Sequence, residues 1–352
     1  MNRNITIEKQ IVSPGSRTYI IAEMSGNHNM SFERAAEIVM AAKKAGADAI
    51  KLQTYTADTI TLDCDKSYFM TQSDSLWSGT TLYKLYEKAY TPWEWQPKLK
   101  QLADEIEITL FSSPFDLTSV DFLEKMNVPA YKVASFEIND IPLIKKMAGT
   151  GKPIIISTGI AKLEDIQLAI ETCRKEGNEN VILLKCTSAY PAPYEDMNIN
   201  VIPNMSETFD CLVGLSDHSM GDEVAIAAVA LGAKVIEKHV TLSRSDGGVD
   251  AEFSMEIDEF AEMVRKIRNI EKALGKVTYE LTQKQLNSRE GSRSLFIAED
   301  IKKGQEFTAE NVKSVRPGNG MHTKHYFDVL GKVATCDLEK GTPLEWKYIK
   351  EK

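Results

Sequence analysis

The 352-residue chain lacks any apolar run long enough to cross a bilayer. Its opening stretch, MNRNITIEKQIVSPGSR, lacks the apolar core of a secretory signal. Cysteine is scarce and unpatterned: Cys64, Cys173, Cys186, Cys211 and Cys336 show no CxxC spacing and are odd in number. That argues against a zinc ribbon or a disulfide frame and for reduced thiols in a cytoplasmic protein. Positive charge is in deficit, with 42 Lys and Arg against 51 Asp and Glu and a net charge of −9. A general nucleic-acid binder would carry the opposite balance. Nothing here forbids a local positive pocket, which a few residues suffice to build. The expectation is a cytoplasmic protein with no nucleic-acid and no membrane partner.

What is present is a repeating grammar. Short β-rich runs at residues 18–23, 48–53, 109–113, 130–135, 153–157, 181–186, 211–216 and 234–239 alternate with amphipathic stretches. One such stretch, 32–45, has Ser31 as its N-cap and Gly46 just past its end. Another starts at Thr91-Pro92-Trp93-Glu94, which reads as a capping box with proline at the first helical position. The last spans 258–274 and stops at Gly275. Eight strand–helix units over about 250 residues predict a (β/α)₈ TIM barrel. An open doubly wound sheet uses the same grammar, but no GxGxxG turn follows the first strand. The long segment 55–90 follows the second strand, so it is expected on the catalytic face, as a specificity loop, a lid or a decoration that only packs.

Beyond the barrel, 275–290 reads as a charge-rich linker. The expected division is a barrel at 1–276, a linker at 277–290 and a small β-rich domain at 291–352. That last part contains an echo, Asp300-Ile301-Lys302-Lys303-Gly304 and Asp337-Leu338-Glu339-Lys340-Gly341. The Lys-Gly pairs suit turns, so a repeated hairpin-like feature is expected.

In such a barrel the active site lies at the C-terminal strand ends, and here those ends turn polar together. Side chains two apart on a strand share a face, which pairs Lys51 with Gln53, Ser216 with His218 and Glu237 with His239. His218 and His239 end neighbouring strands, where two imidazoles can share a divalent metal or serve as ordinary structural residues. With no cysteine placed to complete a zinc set, Mn²⁺ or Mg²⁺ fits better. Lys51 and Lys132 either pair with nearby carboxylates or seat an anion, with Ser113, Ser135 and Ser157 as further donors. Lys185, on the sixth strand, raises the rival of a Schiff-base lyase. Parity turns it toward the helices, out of phase with Cys186 and Ser188.

The ordered set AEMSGNHN, GADAIKLQTY, SSPFD, YKVASFE, ISTGI, KCTSAYPAPYEDMN, GLSDHS and GAKVIEKHVTL resembles the sialic acid synthase family from about Tyr19 onward. The stretch RSLFIAEDIKKGQEFTAENVKSVRPGNG resembles the antifreeze-like (SAF) domain fused to those synthases. Within the family, KLQTYTADTITLD, LYKLYEKAYTPWEW, SFEIND and VRPGNGMH are most similar to the branch that makes pseudaminic acid. Ser188 stands where N-acetylneuraminate-making members usually have Asn. Ala134-Ser135-Phe136-Glu137 stands in place of their Gly-Ser-Gly-Glu-like turn. These departures favour a diacetamido-trideoxy sugar over N-acetylmannosamine.

The resemblance implies condensation of phosphoenolpyruvate with an acetamido sugar, using a divalent metal held by His218 and His239. It implies Lys51, Ser113, Lys132, Ser135, Ser157 and Ser216 around phosphoenolpyruvate. Glu23, Gln53, Phe115, Tyr190 and Asp250 fall near the sugar or its reacting end, with Glu137 and Ser188 beside them. Glu23 is the candidate acid/base, with Lys51 and Lys132 offsetting charge. The resemblance also implies a domain-swapped homodimer in which Arg316 of one subunit reaches the sugar site of the other.

Overall fold

The computed structural model describes residues 4–71 and 76–352. It divides into two compact units, Met1–Gly275 and Lys276–Lys352. In the first, eight strands run parallel: β1 Tyr19–Glu23, β2 Ala49–Thr54, β3 Thr109–Pro114, β4 Tyr131–Val133, β5 Ile154–Ser157, β6 Val181–Cys186, β7 Leu212–Asp217 and β8 Val235–Thr241. Each pairs with the next, and β8 returns to β1 with Val235 opposite Tyr19 and His239 opposite Glu23. The sheet is therefore a closed barrel, and the doubly wound alternative falls.

The strands close because they are apolar on both faces. Ile20, Ile21, Ile50, Leu110, Ile155, Leu183 and Ile236 are fully buried between the barrel lumen and the outer helices. Burial of one such side chain contributes roughly 1.5–3 kcal/mol, so the core fixes the register that aims the polar strand ends. At Gly214 on β7 an added Cβ would strike the Val235 carbonyl oxygen and come within 2.7 Å of Leu184 Cδ2. The closest approach of β7 to its neighbour thus requires glycine.

The helix after β1 runs Phe32–Lys44, and Ser31 caps it by accepting from the Arg34 N–H at 3.2 Å. Gly46 follows at φ +93°. The helix expected to start at Thr91 begins instead at Gln96, after a short 3₁₀ turn at Trp93–Trp95. Thr91 is fully buried, its hydroxyl 3.3 Å from His28 Nε2 and its carbonyl bonded to Gln96 Nε2. A tertiary partner has taken the hydroxyl that capping would have used. β4 is also shorter than the expected 130–135 strand: Ser135 begins a 3₁₀ turn, Ser135–Glu137.

Within the expected insertion 55–90, helices form at Ala57–Ile60 and Leu82–Ala89. Residues 72–75 of that insertion lie outside the described residues. Among the described residues no helix is long and apolar enough to cross a membrane.

The second unit holds its own core of Leu295, Ile297, Ile301, Phe307, Val312, Val329 and Leu344. Its two echoed segments are not separate hairpins. Ile301 and Leu338 pair antiparallel through two 2.8 Å bonds. Asp337 accepts from the Lys303 N–H and Asp300 from the Lys340 N–H, both at 2.8 Å. Each copy of the repeat caps the other's turn. The stretch read as linker contains a short exposed helix, Gln283–Arg289, capped by Thr282.

Candidate active site

The strand ends deliver four charges into a space with almost no solvent. Glu23, Lys51, Lys132 and Glu237 are each 4 % exposed or less. Lys51 Nζ lies 2.7 Å from Glu23 Oε2, 3.6 Å from Glu237 Oε1 and 3.2 Å from Ser113 Oγ. Lys132 Nζ donates to Ser157 Oγ at 2.6 Å and the Val133 carbonyl at 3.0 Å, with Glu237 Oε1 at 3.9 Å. Ser216 donates to the same Glu237 oxygen at 3.3 Å. Glu237 thus stands between the two lysines.

Taking ions out of water costs several kcal/mol each unless partners compensate. Burial pulls Lys51 down, but Glu23 and Glu237 together hold it above its ordinary value. Burial wins at Lys132 and lowers it. Burial also raises Glu23, against the pull of Lys51. At Glu237 burial is outweighed by Lys132, Lys51 and His218, so it stays below the usual range. The arrangement has one under-compensated ammonium, Lys132, held by the Ser157 hydroxyl and the Val133 carbonyl. An incoming dianion would stabilise its charged form.

A second cluster completes the mouth. His218 and His239 face each other with ring centroids 5.3 Å apart. His218 Nδ1 lies 3.0 Å from the Thr187 carbonyl, so this nitrogen carries a proton; burial pulls the imidazole down, but Cys186 beside it holds it above its ordinary value. His239 Nδ1 is buried without a hydrogen-bond partner, and its nearest carboxylate is Asp250 Oδ2 at 3.8 Å. Burial and the nearby cations keep His239 well below the ordinary imidazole value, hence neutral. Neutral imidazole is the ligating form. Among the described residues no group of three His, Cys, Asp or Glu side chains converges as a metal cage. The donor set therefore fits a divalent ion only as two imidazoles with water and substrate oxygens completing the shell.

Ser135, Cys186, Ser188 and Gly159 form a small cradle. Ser135 Oγ accepts from the Gly159 N–H at 3.2 Å and donates to Cys186 Sγ at 3.4 Å. A Cβ on Gly159 would run into Ser188 Oγ and lie 2.7 Å from Ser135 Oγ. Burial pushes the Cys186 thiol up, but His218 beside it brings it down to about 7. Glu137, at the end of the same 3₁₀ turn, is pushed up to about 7 by burial, and its Oε2 lacks a hydrogen-bond partner.

The remaining expected residues ring this centre. Gln53 donates to Glu23 Oε1 at 2.9 Å and to Ser25 Oγ at 3.1 Å, and Ser25 in turn donates to Asp250. Tyr190 packs 4.5 Å from the His218 ring, and Phe115 packs 5.1 Å from Tyr55. Burial raises the Tyr190 hydroxyl, which stays protonated. Arg316 belongs to the second unit, where it is exposed on a concavity shared with Phe296, Lys313 and Lys340. Lys185 is held by the Cys186 carbonyl at 2.7 Å and Thr187 Oγ1 at 3.2 Å.

Sequence reasoning gave no role to Glu237 or Cys186, although parity with His239 and Ser188 placed both on the inner face. It missed Ser25 as the partner of Asp250, while the Ser157-Thr158-Gly159 turn, expected to add backbone donors, does so through the Gly159 N–H. Ser25 has a left-handed φ of 47°, a conformation the surrounding sequence does not announce. Asp217 and Lys238 form a buried pair at 2.7 Å on the opposite face of the strands that carry the histidines.

A closed barrel whose C-terminal strand ends bury two lysines, two carboxylates, serine hydroxyls and two imidazoles has the layout of an enzyme active site. The comparisons narrow this: residues 38–279 match the NeuB family and residues 292–350 the SAF domain, and the chain belongs to the NeuB family. It is 48% identical to a pseudaminic acid synthase of Campylobacter jejuni, over 94% of this chain and 96% of that protein. It is 44% identical to one from Helicobacter pylori, over 92% and 96%. The crystal structure of an N-acetylneuraminic acid synthetase from Leptospira borgpetersenii, in complex with citrate, superposes with a TM-score of 0.73 at 30% identity, over 82% of this chain and 95% of that one.

Proposed function

We propose that this enzyme is a transferase that condenses phosphoenolpyruvate with 2,4-diacetamido-2,4,6-trideoxy-L-altrose, giving pseudaminic acid and phosphate by C–O cleavage. The observation that carries this reading is the buried Lys51–Glu237–Lys132 array with its serines, facing two imidazoles, in a chain 48% identical to a pseudaminic acid synthase.

Lys132, Ser157 and the Ser135–Gly159 cradle seat the phosphate, and Lys51 with Ser113 holds the carboxylate. Their hydroxyl and ammonium donors are fixed before substrate arrives, so charge developing on the leaving phosphate is met without reorganisation. His218 and His239 would hold Mn²⁺ or Mg²⁺, which when bound would supply Lewis-acid polarisation of a carbonyl oxygen. The enol carbon bonds to the sugar aldehyde carbon, water adds at the former enol C2, and the C2–O bond to phosphate then breaks. Glu23, raised by burial against the pull of Lys51 and positioned by Gln53, exchanges the proton at the reacting end. Gln53 and Asp250 orient the sugar, with Ser188, Tyr190, Phe115 and Glu137 enclosing it.

The alternative within the family is a legionaminic acid or N-acetylneuraminate synthase; N,N'-diacetyllegionaminic acid synthase of Legionella pneumophila is 35% identical over 94% of this chain and 94% of that protein. Ser188 and the Ala134–Glu137 turn favour the first reading. The Schiff-base alternative is disfavoured by the Lys185 ammonium, which bonds to Cys186 and Thr187 away from the lysine–carboxylate array.

The functional assembly of this reading is a domain-swapped homodimer in which Arg316 serves the partner's sugar site. Mixing Arg316→Ala with His218→Ala subunits tests this: a swapped pair regains activity that neither variant has alone, and a mixture that stays inactive contradicts it. Turnover in ¹⁸O-water tests the bond cleaved. The label should enter the keto-acid product and be absent from phosphate; labelled phosphate would contradict C–O cleavage.

A further inference from the structure

We propose that Trp77 forms the outer wall of the sugar site and makes the enzyme select a sugar whose sixth carbon is a methyl group. The inference rests on the sugar-condensing function proposed above and adds the residue that chooses among sugars.

Trp77 lies in the long segment after β2, the end of the barrel that carries the chemistry. Its indole N–H donates to the Val249 carbonyl at 2.7 Å, one residue before Asp250. Its ring sits 5.7 Å from Tyr190. Tyr190 packs 4.5 Å from His218 and 5.1 Å from Phe253, and Phe253 lies 5.0 Å from His239. An aromatic surface therefore starts at the two imidazoles and runs outward, ending on Trp77. Phe253 is 2 % exposed, so the open faces of this surface belong to Tyr190 and Trp77, both half-buried.

The reacting aldehyde meets the imidazoles, so the carbons far from it extend along this surface toward the indole. The polar anchors Gln53, Glu23 and Asp250 cluster at the near end. Among the described residues the far end offers the faces of Tyr190 and Trp77, with the indole N–H already spent on Val249. A methyl group and an acetamido methyl suit such a wall, while a terminal hydroxymethyl would lose water without gaining a partner there. Discrimination by one group in an apolar pocket is typically about 10- to 200-fold.

The test compares the 6-deoxy diacetamido sugar with its 6-hydroxy counterpart in wild type, Trp77→Ala and Trp77→Phe, with phosphoenolpyruvate saturating. Turnover by wild type first establishes the proposed function, so failure there is separate from failure of this inference. Trp77→Ala should raise KM for the 6-deoxy sugar about tenfold and shrink the preference toward parity, leaving KM for phosphoenolpyruvate unchanged. Trp77→Phe, which keeps a ring but not the N–H, should retain most of the preference. An unchanged preference in Trp77→Ala, or a Trp77→Phe variant as impaired as Trp77→Ala, would overturn the proposal. Should Trp77→Ala fail to fold, tryptophan fluorescence decides: adding sugar should perturb wild type and not Trp77→Phe, and equal responses would reject the contact.

Discussion

Lys51 and Glu23 are register partners on adjacent strands, and their side chains meet at 2.7 Å with both almost completely buried. The pair is not a surface bridge of marginal worth. It is a charged contact that burial makes expensive and that Glu237 and Gln53 must support. Such a carboxylate, raised by burial and restrained by a lysine, is suited to giving and taking a proton near neutrality. Glu23→Gln keeps the shape and the bond to Gln53 but cannot exchange the proton. It should cut phosphate release by about two to four orders of magnitude, measured as kcat with both substrates saturating. Unchanged kcat would remove Glu23 from the reaction.

The cradle around Gly159 gives an independent test of where phosphate binds. A Cβ there meets Ser188 Oγ and Ser135 Oγ, so Gly159→Ala displaces the donors without touching a charge. Misplacement by about 1 Å can cost about 100-fold. The expected result is a raised KM for phosphoenolpyruvate with circular dichroism unchanged; an unaltered KM would place the phosphate elsewhere.

Much of this was legible from the chain because both barrel and site follow from a period of two. Alternation along β2, β7 and β8 predicts Lys51, His218 and His239 on the inner face, and there Lys51 meets Glu237 while the two imidazoles face each other. The capping box at Thr91 failed because His28 and Gln96, distant along the chain or unremarkable locally, claim its polar groups. Glu237 carries no signal by itself. Its importance arises only when Lys51 and Lys132, 81 residues apart in sequence, converge on one of its oxygens, which no local pattern encodes. The reciprocal Asp300 and Asp337 caps show the same limit: the repeat was visible, but not that its copies pair with each other.

Removal of either imidazole should abolish metal dependence. His218→Ala and His239→Ala should each lose activity that Mn²⁺ cannot restore, and each should bind Mn²⁺ more weakly in a titration followed by paramagnetic resonance. A His218→Ala variant still stimulated by Mn²⁺ would contradict the ligand assignment.

Glu137 predicts a pH dependence of stability. Its folded value of about 7 exceeds the ordinary 4.5, so the native state binds more protons than the unfolded state between these values. The contribution is fully present below about pH 4.5 and is lost as pH rises through about 7. With some solvent screening it amounts to on the order of 2 kcal/mol. Denaturant unfolding of Glu137→Gln against wild type across pH 4.5–8 should show the variant gaining relative stability as pH rises. A pH-independent difference would show that Glu137 titrates alike in the folded and unfolded states.

The most direct test of the central claim is phosphate release from phosphoenolpyruvate and Mn²⁺, comparing 2,4-diacetamido-2,4,6-trideoxy-L-altrose with N-acetylmannosamine, each with and without EDTA. The account predicts release with the altrose derivative, little with N-acetylmannosamine, and loss of release on chelation. Release with N-acetylmannosamine alone, or release indifferent to EDTA, would contradict it.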